Sequence, residues 1–103
     1  MAIHRIPALS RALLAAALLA LAACQTAPVQ EMSDARQAIS AAREAGAPEY
    51  AANDFSAAVG YLESAERHLS ERRYEEARDD AMQAKVKALE ALQRSERAAE
   101  DET

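Results

Sequence analysis

Few residues in this 103-residue chain are able to do chemistry. It has one cysteine, Cys24, which excludes an internal disulfide and any CxxC zinc or redox pair. Beyond residue 24 a single histidine occurs, His68, set among Glu66, Arg67 and Arg72. No nucleophile, base and orienting group can be assembled around it. The sequence therefore predicts a solvated His68 and no catalytic residue. Glu75, Glu76, Asp79 and Asp80 would form a compact acidic patch on a helix. A hard cation favours such oxygens, but no EF-hand pattern is present. The patch reads as a solvated face whose acids suit a helix start, and no metal or other cofactor is expected. Arg67, Arg72, Arg73 and Arg78 gather around one turn and form a candidate interaction patch for lipid phosphates or acidic sugars. Glu66, Glu71, Glu75 and Glu76 lie between them and neutralise them locally. Tyr50, Tyr61 and Tyr74 read as core or rim residues, not as a sugar platform.

The elements that must position Cys24 lie upstream. Arg5 and Arg11 form a short basic region, and Ala12 to Ala23 is an uncharged apolar run. A membrane-spanning helix needs about 20 such residues, so the run has the length of a secretory leader. It ends Leu21-Ala22-Ala23-Cys24, which resembles the bacterial lipobox. The small side chains admit a peptidase to the backbone, with cleavage expected between Ala23 and Cys24. The Cys24 thiol then carries diacylglycerol, and the freed amine takes a further acyl chain (palmitate or similar). One chain anchors marginally and two or three hold firmly, at about 0.8 kcal/mol per buried CH₂. Gln25 stands where Asp would favour the inner membrane. The expectation is a Gram-negative periplasm and the inner leaflet of the outer membrane, with contact to that membrane through lipidated Cys24.

The rest of the chain reads as all-α. Hydrophobic residues make up 50% of the sequence but aromatics only 4%, and alanine alone supplies 28 positions. Two glycines and three prolines are too few for a strand-rich, turn-rich chain. The length rules out Rossmann and TIM-barrel scaffolds. All 17 acidic residues but only 10 of the 12 Lys/Arg follow Ala23, so that part carries a net charge of −7. Such a body is a poor ligand for nucleic acid.

Spacing divides the body into a tether at 24–28 and three helices near 29–45, 48–70 and 74–98. Met32, Ala35, Ile39 and Ala42 repeat at 3-4-3 spacing. Gly46 suits a helix C-terminus, and Pro48 the first turn of the next helix. Ala51, Phe55, Ala58, Leu62, Ala65 and Leu69 continue the pattern. Ala77, Ala81, Ala84, Ala88, Ala91, Ser95 and Ala98 make an unbroken heptad seam after Tyr74, with Leu89 and Leu92 beside it. Glu63–Arg67 and Glu90–Arg94 are spaced for i,i+4 pairs. Acids at 100–102 oppose the helix dipole, so residues 99–103 are expected to fray. The architecture expected is an antiparallel helical hairpin or a small three-helix bundle, coiled-coil-like in its seams. Its core is thin, and self-association or a partner would steady it.

Gly46-Ala47-Pro48-Glu49-Tyr50-Ala51, then Ala58, Leu62 and Ala65, then Tyr74, Ala77, Ala81, Ala84 and Ala88, together resemble the domain-of-unknown-function 4398 family of bacterial envelope proteins. The resemblance spans about residues 29–98. It implies a small lipoprotein or exported helical domain. Some members carry this segment ahead of an OmpA-like peptidoglycan-binding domain, which residues 29–98 do not contain. Arg72-Arg73-Tyr74 departs from the Gly-Asp-Tyr-like turn expected of the family. No catalytic residues carry over. A helix-turn-helix with small residues at these offsets also looks like one tetratricopeptide unit, whereas such arrays need about three.

The function these features predict is a lipid-anchored, non-enzymatic helical module that binds another envelope protein or itself. The alternative is an envelope-stress module that binds glycan or lipid through the turn arginines.

Overall fold

The structure is a computed structural model and describes residues 7–23 and 26–102. Cys24 lies outside the described residues. The described residues form five helices and no strand: α1 (Ala8–Ala23), α2 (Val29–Glu44), α3 (Ala47–Tyr50), α4 (Ala52–Ser70) and α5 (Tyr74–Asp101). The all-α class expected from composition and periodicity is the one observed.

Alanine periodicity builds the body. The heptad residues Ala77, Ala81, Ala84, Ala88, Ala91 and Ser95 are all fully buried. They face α2 and α4 in three successive layers. Met32 and Ala35 meet Ala65, Ala81 and Ala84, with Leu62 and Leu69 beside them. Ala38 and Ile39 meet Ala58 and Ala88 under Phe55 and Val59. Ala42, Ala47 and Ala51 meet Ala91 beside Leu92. Read along the chain, these layers make α2 and α5 parallel, with α4 antiparallel to both. Met32, Ala35, Ile39 and Ala42 thus run level with Ala81, Ala84, Ala88 and Ala91, two matched 3-4-3 stripes. Small residues let helix axes approach closely, and that approach replaces the bulk a larger core would supply.

Ion pairs flank the seam. Arg36 Nη2 meets Glu66 Oε1 at 3.6 Å, Lys85 Nζ meets Asp34 Oδ2 at 3.8 Å, and Arg94 Nε meets Asp54 Oδ2 at 2.8 Å. The Arg43 guanidinium lies 5.3 Å from the Phe55 ring centre. Each exposed pair contributes about 0.2–1 kcal/mol, but together they fix which helix faces sit side by side.

Three local features depart from the sequence expectation. The second helix, expected as one piece over 48–70, breaks at Ala51, whose φ of −144° and ψ of 50° lie outside the helical region. Its N–H still donates to the Ala47 carbonyl at 2.8 Å, and its carbonyl accepts from Phe55 N–H at 2.9 Å. The chain changes direction there without leaving either bond unmade, and the small buried side chain fits against Ala42, Ala47 and Ala91. The last helix does not stop at 98 but continues to Asp101. The Tyr50 hydroxyl donates to Glu102 Oε2 at 3.0 Å, fastening the end of α5 to α3 where the helix dipole alone would favour fraying. The expected pairs within single helices are absent among the described residues. Arg94 reaches across to Asp54, and Glu90 takes Lys87 at 3.2 Å instead.

Both turns use a left-handed residue. Gly46 has φ 86° and donates its N–H to the Arg43 carbonyl at 3.0 Å. The turn between α4 and α5 also passes through a left-handed residue, here without glycine. Arg72, at φ 61°, donates its N–H to the Leu69 carbonyl at 3.0 Å, and Arg73 donates to the His68 carbonyl at 2.8 Å. These two bonds make a Schellman cap. Arg72 thus takes up the left-handed conformation at a turn where the sequence expectation had a glycine.

Candidate functional site

Residues Ala8–Ala23 form a regular helix because Leu and Ala are strong helix formers and nothing in the segment interrupts them. α1 packs against none of the other helices. Leu9, Leu13, Leu14 and Leu18 remain 61–75% exposed. At 16 residues the helix is about 24 Å long, shorter than the ~30 Å hydrocarbon thickness of a bilayer. No helix among the described residues is long and apolar enough to cross a membrane. Ala23 ends α1, so Leu21, Ala22 and Ala23 belong to its last turn.

Downstream, the segment leading into α2 meets the bundle from Thr26 onward. The Thr26 carbonyl accepts from Arg78 Nη2 at 3.4 Å, and Pro28 is fully buried at the start of α2. Arg78 Nε also meets Glu31 Oε1 at 3.3 Å.

The arginine patch is only partly available. Arg73 lies between Glu71 Oε2 (3.8 Å) and Glu76 Oε1 (3.7 Å), and Arg78 is held by Glu31 and Thr26. Arg67 and Arg72 are exposed and carry no carboxylate partner among the described residues. The structure brings all four to one end of the bundle, where Arg73 and Arg78 are paired and Arg67 and Arg72 are not, among the described residues.

His68 is not the solvated side chain that its sequence neighbours suggest. Its side chain is 22% exposed and its Nδ1 stands 2.8 Å from Asp80 Oδ2. Ser64 Oγ donates to the same oxygen at 2.6 Å. Ser64 and His68 are one helical turn apart on α4, and Asp80 comes from the second turn of α5. An ionised carboxylate only accepts, so both partners donate to it. Ser64 therefore gives its proton to a carboxylate and not to an imidazole. The cluster braces α4 against α5 and lacks the nucleophile-to-base order that activates a serine. Only the register of α4 on α5 creates it. The one sequence signal was the i,i+4 spacing of Ser64 and His68.

Asp80 thereby leaves the acidic patch, and Glu76 pairs with Arg73. No group of three or more metal-ligating side chains converges among the described residues. Glu75 and Asp79 stay exposed on the outer side of α5.

Tyr50 has a displaced ionisation. The hydrogen bond and charge of Glu102, helped by slight desolvation and by Glu49, raise its pKa above the usual tyrosine range.

Comparison with curated proteins and with solved structures returns no match. The model of the domain of unknown function DUF4398 matches residues 30–103, from the first turn of α2 to the end of the sequence. The helical body described above is that domain, and the chain belongs to the DUF4398 family.

Proposed function

We propose that the chain is a lipid-anchored bacterial envelope protein whose DUF4398 body acts as a non-enzymatic structural or protein-interaction module. One observation carries the reading: the sole cysteine, Cys24, stands directly after Leu21-Ala22-Ala23, behind a leucine- and alanine-rich leader with Arg5 and Arg11 before it. Each residue type suits its role. The leader supplies apolar surface for export, the small residues admit the peptidase, and the thiol accepts the lipid. The acidic body beginning at Pro28 is a separate packed unit with polar outer faces, as a tethered water-facing domain requires. Gln25 directs the anchor to the periplasmic face of the outer membrane.

The test is the intact mass of protein purified from a Gram-negative host grown with an alkyne analogue of palmitate. The expected product begins at Cys24, carries the mass of a diacylglycerol and one further acyl chain, and takes the label. Cys24→Ala should retain the leader and take none. A polypeptide beginning at Met1, or an unmodified sulfur, overturns the reading. Gln25→Asp should move the labelled protein towards inner-membrane fractions.

A further inference from the structure

We draw no further inference here: the strongest candidate, the groove that Met82, Val86 and Leu89 of α5 floor beside Glu31 and Asp34 of α2, carries nothing, since nothing in the structure shows what covers it.

Discussion

The two turns of this bundle set up a reciprocal experiment on one backbone geometry. Gly46 and Arg72 both sit in the left-handed region, at φ 86° and 61°. A non-glycine residue there costs about 1–2 kcal/mol. Replacing Arg72 by glycine removes that cost but adds freedom to the unfolded chain, worth roughly 0.5–1 kcal/mol. The net expectation for Arg72→Gly is a gain of about 0.5–1 kcal/mol, or roughly 2–8 °C in Tm for a domain of this size. Gly46→Ala runs the other way. It incurs the left-handed cost of about 1–2 kcal/mol, and its new Cβ would stand 3.0 Å from Cδ2 of the Tyr50 ring. That ring is anchored through its hydroxyl to Glu102, so yielding disturbs a second contact. A loss of about 1–2 kcal/mol or more is expected, roughly 4–16 °C. Arg72→Ala keeps the backbone cost and removes an unpaired side chain, so it should change stability by less than about 0.5 kcal/mol. Urea titration followed by far-ultraviolet circular dichroism measures all three. If Arg72→Gly destabilises while Arg72→Ala is neutral, backbone strain at this turn is refuted.

Further outcomes follow from the interior and the clasps. Asp80→Ala strips both Ser64 and His68 of their acceptor and should cost about 1–3 kcal/mol; a urea midpoint equal to that of the parent chain would deny the brace between α4 and α5. Ala88→Leu places bulk against Ala38, Ile39 and Ala58, and overpacking of about 1–3 kcal/mol should appear as a lower Tm. Tyr50 is held protonated by Glu102, so its folded pKa lies above the unfolded value of 10.0. The stability this adds is complete below pH 10 and disappears as pH rises through the elevated folded value. Amide exchange in the last turn of α5 should therefore accelerate at alkaline pH beyond the intrinsic rate, and Tyr50→Phe should abolish that step.

Much of the fold was legible because apolar periodicity and turn residues agree. The 3-4-3 stripe of Met32 to Ala42, the stop at Gly46 and the heptad from Ala77 to Ser95 occur where spacing placed them, since burial of one helical stripe is what the pattern encodes. The break at Ala51 was illegible because two consecutive alanines carry no breaker; only the fold shows Ala51 buried with Ala42, Ala47 and Ala91. Arg94 was read as a partner of Glu90 because i,i+4 spacing sees only one helix, whereas Asp54 arrives from another. His68 was misread for the same reason. Its environment is set by the register of α5, which the cap at Arg72 determines. The acylation proposed for Cys24 rests on sequence throughout, since that chemistry needs a thiol after a small-residue run and no fold.

The docking of Thr26 on Arg78, with Pro28 sunk into the start of α2, has a mechanical consequence. Many tethered domains hang from a slack leash and explore a hemisphere of space. Here a pull arriving at Thr26 would pass through the buried Pro28 to the root of the bundle, at the start of α2. Inserting a few glycines between Thr26 and Pro28 would loosen that coupling and leave the helices themselves untouched.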